Sequence, residues 1–289
     1  MSKHQRKEAH PDLSPEMRAL TTVQDPDTKT DVSEMRRSAK EGKRPWNERP
    51  YPTLSIRQGA IDGAQGARPL LDVRSPNEAQ TPIVHIHGGG WSICDLETHR
   101  AVFSEMSLVT GRRVLAPHVR QAPEHPFPAP LDDTISAICN IADGFDQGVF
   151  LSGDSAGSNL ALAAVLRSRD EGRLLPIRAM SLFYGCYRRV FDSASHLAYG
   201  DGRAGLPTNK MRLFWSFYAP QPEPYTDLTR AEFAELPRTQ IHIAEVDVLA
   251  DDNRWLAQAL EDAGASIEVL TWSGMAHGFL HYPSDLPQV

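Results

Sequence analysis

At 289 residues, with 40% hydrophobic and 23% charged residues, the chain is long enough for one α/β domain or two smaller ones and apolar enough for a sizeable core. A formal net charge of -7 and an isoelectric point near 5.9 argue against a non-specific binder of nucleic acid or acidic membrane, since both need clustered excess positive charge. Small-molecule chemistry is the better expectation. The three cysteines, Cys94, Cys139 and Cys186, lie far apart with no C-x-x-C spacing, and read as reduced thiols in or near the core. No apolar stretch follows the charged start Met1 to Glu8, and no window is long and apolar enough to span a bilayer, so a soluble cytoplasmic protein is expected.

Residues 1 to 51 are polar and punctuated by proline, without strand alternation. Ser14-Pro15-Glu16 offers an N-cap, a proline at the first helical position and an early acid, while Asp31 or Thr30 could cap a second helix through Lys40. The alternative is a frayed arm. From Leu54 the texture becomes strand-like, with candidates at 54–58, 69–73 and 82–86, the first two joined by the glycine-bearing segment 62–66. The third runs into His87-Gly88-Gly89-Gly90-Trp91. Three successive glycines at a strand end let backbone N–H groups face outward close to a ligand. A helix over 98–108 and a strand over 113–116 follow. The loop from Ala122 to Ala129 is too rich in proline for helix or ladder pairing, and a helix over 131–141 comes after it.

Residues 149–160 change period in the middle. Val149 to Leu151 is a short apolar run suited to a buried strand, Ala156 to Arg169 reads as a helix, and between them sits G-x-S-x-G around Ser155. Flanking glycines let a strand turn straight into a helix and lift the serine hydroxyl clear of the sheet edge, where the helix N-terminus favours a developing oxyanion. The amides of Gly89, Gly90 and Ala156 are the candidate oxyanion donors. A strand over 179–183 continues the alternation, which argues for a mainly parallel sheet covered on both faces. The segment from Gly185 to about Thr226 breaks this rhythm. Within it Met211, Phe214, Trp215 and Tyr218 share one helical face, and such an insertion above the sheet can wall a site. The strand over 240–246 ends in Asp247-Val248-Leu249, a helix spans about 252–263, and a strand over 266–271 leads into His277-Gly278-Phe279. An acid and a histidine thus each follow a strand, and the order Ser155, Asp247, His277 is that of α/β-hydrolases.

With these motifs placed, the chain from about residue 54 onward resembles the hormone-sensitive-lipase-like α/β-hydrolase esterases, in the bacterial G-D-S-A-G branch. The resemblance rests on His87–Trp91, Ala122–Ala129, Gly153–Gly157, Asp247–Leu249 and His277–Phe279. It implies a mostly parallel central sheet covered by helices on both faces. Ser155 would be the nucleophile, His277 the general base and Asp247 its orienting acid. Residues 1–50 would form an arm belonging to a helical cap, completed by an insertion at about 186–226 in a catalytic domain spanning 51–289. The chain departs from the family pattern at Val119-Arg120-Gln121, at Ser158 and at Val248, changes that could reshape the pocket, and it ends soon after His277 where relatives carry one more helix.

Glu245, Asp251 and Asp252 are rivals to Asp247, and His281 is a rival to His277 that reads as a surface or packing residue. His85 and His87 would share a strand face, but no third ligand stands at a familiar metal spacing, so no metal is expected. No phosphate-loop or dinucleotide fingerprint appears, so no cofactor is expected. Trp91, Phe214, Trp215 and Tyr218 are the candidate substrate-binding side chains. Phe214, Trp215, Phe217 and Tyr218 of the insertion would fill the roof and leave room only for small, short-chain acyl or aryl esters. An amidase or arylformamidase would use the same groups. A non-catalytic receptor on this fold, as the plant gibberellin receptors are, is disfavoured by the presence of His277. The expected partner is a small-molecule ester, with no nucleic acid and no membrane; a homodimer is compatible with the sequence.

Overall fold

A computed structural model describes residues 8–25, 31–76, 79–283 and 285–286. The N-terminal segment is helical where described. Helix α1 (Pro15–Leu20) starts at Ser14, whose hydroxyl accepts from the Met17 N–H. Helix α2 (Val32–Asn47) is capped by Asp31, which accepts from Ser33 and Glu34; the alternative cap, Thr30, lies outside the described residues. Where described, this segment is held by tertiary contacts. The Asn47 side chain donates to Thr98 O and accepts from the Ala101 N–H, and Arg36 donates to Ser92 O and pairs with Glu124. The same contacts carry α2 past Lys40, where Gly42 and Pro45 would end an isolated helix.

Strands β1 (Ser55–Gly63) and β2 (Gly66–Arg74) form the expected hairpin. They are followed by β3 (Ala79–Ile86), helix α3 (Arg100–Thr110) and β4 (Arg112–Pro117). Helix α4 (Ala129–Ala142) begins at the last residue of the proline-rich loop, and β5 (Val149–Asp154), α5 (Ala156–Asp170) and β6 (Ile177–Phe183) continue the alternation. Two helices, α6 (Ala194–Tyr199) and α7 (Thr208–Tyr218), interrupt it before β7 (Arg238–Val246), α8 (Ala250–Asp262) and β8 (Ile267–Ala276). The strands form one eight-stranded sheet in the order β1-β2-β4-β3-β5-β6-β7-β8. Strand β2 is the reversed one, antiparallel to both its neighbours β1 and β4, whereas β4, β3, β5, β6, β7 and β8 run parallel.

Burial explains the strand sequences. Residues 81–86 of β3 are buried throughout, as a strand covered on both faces must be, while β1 at the edge is mostly exposed. Strand β8 outruns the expected end at Thr271 and reaches Ala276. Gly274 (φ 70°) there permits an irregularity that a regular strand reading takes for a turn, and its carbonyl accepts from the Ser14 N–H. The five-residue extension from 272 to 276 delivers His277 to the edge of the sheet where β5 ends.

Candidate active site

Ser155 is held between β5 and α5 at φ 53° and ψ −121°, a left-handed conformation that costs a non-glycine residue about 1–3 kcal/mol. Its N–H donates to Phe183 O and its carbonyl accepts from the Ser158 N–H. The flanking glycines are required by close approach. A Cβ on Gly153 would stand 2.6 Å from the Gly157 carbonyl carbon, and one on Gly157 would stand 2.0 Å from Ile86 O. Ser158 lies fully buried behind the turn, donating to Gly153 O, so its departure from the family pattern does not touch the cavity. Arg120 and Gln121 likewise pin loops rather than line the cavity. Arg120 pairs with buried Asp133 at 2.8 Å, and the Gln121 amide donates to Ile93 O and Cys94 O.

His277 stands with Nε2 2.9 Å from Ser155 Oγ and Nδ1 2.7 Å from Asp247 Oδ2. With the Nδ1–H donating to the carboxylate, Nε2 is left to accept the serine hydroxyl proton. Asp247 is 1% exposed, and its other oxygen accepts from the Leu249 N–H. The rival acids are engaged elsewhere. Glu245 accepts from the Gly274 N–H, Asp251 from the Ser195 N–H and from Arg254, and Asp252 from the Tyr187 and Arg188 amides and the Arg188 guanidinium. His281 is not a surface residue. It is buried, with its ring 4.4 Å from that of His99 and Nε2 facing Lys43.

Gly89 and Gly90 border the same cavity as Ser155, at φ 111° and 57°. A Cβ on Gly90 would fall 2.3 Å from the Phe214 ring, and one on Gly89 would fall 2.0 Å from Ile93 O. Among the described residues no acceptor meets the N–H groups of Gly89, Gly90 or Ala156, whereas the neighbouring Gly88 N–H is consumed by Asp154 Oδ1 at 2.8 Å. Three unsatisfied amides beside a serine hydroxyl form a ready site for an oxyanion.

Beneath the glycines lies a polar cluster that spacing alone does not reveal. Asp154 Oδ1 is 3.2 Å from His85 Nε2 and 3.4 Å from His99 Nε2, and His87 stacks on His118 with Nε2 to Nδ1 at 2.9 Å. Of the strand pair His85 and His87, only His85 meets a carboxylate, that of Asp154 from β5, while His87 turns to Gly88 O and His118. Burial alone would push the Asp154 carboxyl up, but the His99 and His85 rings hold it well below the usual carboxylate range. Burial in turn depresses His87, His99 and His281, and His118 with them. The ligand atoms of His99, Asp154 and His281 lie within 4.8 Å of one another, the one such grouping among the described residues. Asp154 Oδ1 is already shared by Gly88 and His85, and Lys43 stands at His281, so hydrogen bonds and ring contacts account for the grouping.

This cluster has a consequence for stability. Below the ordinary histidine value of 6.5 the unfolded chain takes up protons that the buried rings refuse, so acidification favours unfolding. Stability is complete above that value and is lost as pH falls below it, with Asp154 adding to the loss below 3.8. The melting temperature is therefore expected to stay level from about pH 8 to about pH 7 and then to fall down to about pH 5. A constant value over that interval contradicts the burial of neutral imidazoles.

The cavity has a volume of about 810 Å³, within the range of small-molecule sites. Its walls come from α1 and the following turn (Met17, Thr21), from α2 (Met35, Ala39, Lys43), from Gly89, Gly90 and Ser155, from 204–214 and from His277 and His281. Of the four aromatic side chains assigned to substrate, Phe214 lines it. The other three do not. Trp91 stacks on Tyr218 at 4.4 Å and packs on Trp215 at 4.6 Å, forming a buried aromatic block behind the wall. Because these rings fill each other's space, the cavity is roomier than an aromatic roof would leave it. Among the described residues no helix is long and apolar enough to cross a membrane.

A profile of the alpha/beta hydrolase fold family matches residues 83–281. The chain is 30% identical over 254 residues to Esterase LipI of Mycobacterium tuberculosis, covering 82% of this chain and 78% of that protein. It is 29% identical over 292 residues to an acetyl esterase of Salmonella paratyphi A, covering 93% and 88%. Its structure resembles the hyperthermophilic esterase of the archaeon Pyrobaculum calidifontis with a TM-score of 0.85 and 26% identity, over 96% of this chain and 93% of that one.

Proposed function

From the premise that the chain belongs to the α/β-hydrolase family, and within it to the hormone-sensitive-lipase-like carboxylesterases, we propose that Ser155, His277 and Asp247 carry out ester hydrolysis by two-step acyl transfer. The observation that supports these roles is the hydrogen-bonded file from Ser155 Oγ through His277 to buried Asp247, with the unpaired amides of Gly89 and Gly90 at the same cavity and that of Ala156 next to the serine in the chain. His277 takes the Ser155 proton as the hydroxyl attacks the ester carbonyl, and Asp247 holds the imidazole tautomer and stabilises the imidazolium. The amides of Gly89, Gly90 and Ala156 receive the oxyanion. His277 then protonates the leaving alcohol, and water repeats the attack on the acyl-enzyme with His277 as base.

The N-terminal helices and the 186–226 insertion act in this reading as a two-part cap, since α2 and α7 both contribute to the cavity wall. The substrates are small, short-chain esters. Relatives named as acetyl esterases favour this, and so do the polar side chains of Lys43, Lys210 and His281 on the wall, against which an alkyl chain gains little. Each methylene that finds an apolar wall is worth about 0.8 kcal/mol, and one left against a charged wall or in water is worth nothing.

A fluorophosphonate should label Ser155, and kcat/KM on p-nitrophenyl esters should peak at roughly two to six acyl carbons and fall steeply by about ten on that burial scale. A maximum at palmitate replaces the small-ester reading with a lipase one. Labelling of Ser155 with amide turnover in place of ester turnover moves the reaction to amides with the same groups.

A further inference from the structure

Acyl transfer leaves two lysines on the cavity wall without a role. Lys43 comes from α2 and Lys210 from the first turn of α7, so the two helices over the site each send one cation to the cavity that holds Ser155 and His277. Neither forms an ion pair among the described residues. The ammonium of Lys43 meets Nε2 of His281, and that of Lys210 donates to the side-chain oxygen of Gln24 at 2.7 Å. Lys40, one turn earlier on α2, shows the ordinary alternative: it points away from the cavity and pairs with Glu97. Of the two carboxylates on the wall, Asp154 favours the charged form of Lys43, though less than burial opposes it, and neither acts on Lys210. Asp154 is held by Gly88, His85 and His99, and Asp25 has a partner of its own.

Burial pushes both ammonium groups below the ordinary lysine value, and Lys210 also feels the like charge of Lys43. Two half-buried cations on the wall of one cavity with neutral hydrogen-bond partners are poorly compensated, and a bound anion is what completes them. The placement runs against the net charge of -7, which repels anions from the molecule as a whole.

Resting on the ester-hydrolase reading of this cavity, we propose that its preferred substrates are esters that carry a carboxylate, which Lys43 and Lys210 receive while the ester carbonyl lies at Ser155. The reaction remains hydrolysis, with water giving the free acid and alcohol, and the lysines act as specificity residues.

The test compares matched charged and neutral esters near neutral pH. On the acyl side these are monomethyl succinate, glutarate and adipate against methyl butanoate, pentanoate and hexanoate. On the leaving-group side they are 4-acetoxybenzoate against its methyl ester. The kcat/KM ratio of charged to neutral ester should reach about tenfold or more in at least one pair, as a charge-assisted hydrogen bond permits. It should fall toward one in Lys43→Met and Lys210→Met and persist in Lys210→Arg, with neutral-ester turnover in the same samples reporting that each variant has folded. A wild-type ratio of one or less in every pair overturns the inference, whatever the variants do. A preference that survives both methionine variants places the anion elsewhere and overturns it too. Turnover of neither charged nor neutral esters defeats the hydrolase reading beneath it, an outcome distinct from turnover without preference.

Discussion

Ser155→Ala is expected to lower kcat on a short p-nitrophenyl ester by about 10⁴-fold or more, because a hydrogen-bonded nucleophile and base act as a unit. The fold should survive. Alanine occupies the same backbone conformation as serine at φ 53°, and the Ser155 N–H bond to Phe183 O does not involve the side chain. Circular dichroism and melting temperature should therefore match the wild type while fluorophosphonate labelling disappears. The neighbouring serines cannot stand in for it. Ser152 Oγ is buried against His85 and Ser158 Oγ is committed to Gly153 O, and neither lines the cavity. Retained turnover with label on either of them assigns the nucleophile to the wrong residue.

Asp247→Asn should cost about as much, again near 10⁴-fold in kcat, through the tautomer and not through lost packing. An amide nitrogen facing His277 Nδ1 donates where the carboxylate accepted, so the ring turns its proton toward Ser155 and can no longer take one. The controls are the rival acids. Asp251→Asn removes a helix-turn acceptor for the Ser195 N–H and a partner for half-exposed Arg254, and Glu245→Gln removes an acceptor for the Gly274 N–H. Both are expected to change kcat by less than about tenfold, with any loss appearing in melting temperature, because neither carboxylate touches His277. Kinetics for the three variants, measured with one ester at one pH, decide the matter. If Asp251→Asn proves the most damaging, the orienting acid is Asp251.

What the sequence by itself determined is local. Ser14 and Asp31 cap their helices, the prolines from 123 to 128 hold off α4 until Ala129, and the change of period at Ser155 makes strand, turn and helix in that order, all through neighbours a few residues away. The order of Ser155, Asp247 and His277 behind successive parallel strands then brings them to one sheet edge, because parallel strands present their C-terminal ends together. Tertiary structure alone decided which side chains see the cavity. The stripe of Phe214, Trp215 and Tyr218 reads as one helical face, yet Trp91 from a distant loop claims two of the three, and only Phe214 is left at the wall. The carboxylate that gathers His85 and His99 stands 69 positions from the first of them, and Lys43 meets His281 across 238. Period and capping reach one helical turn, whereas a cavity wall is set by the mutual packing of elements that the chain keeps far apart, and no local pattern records which of them will meet.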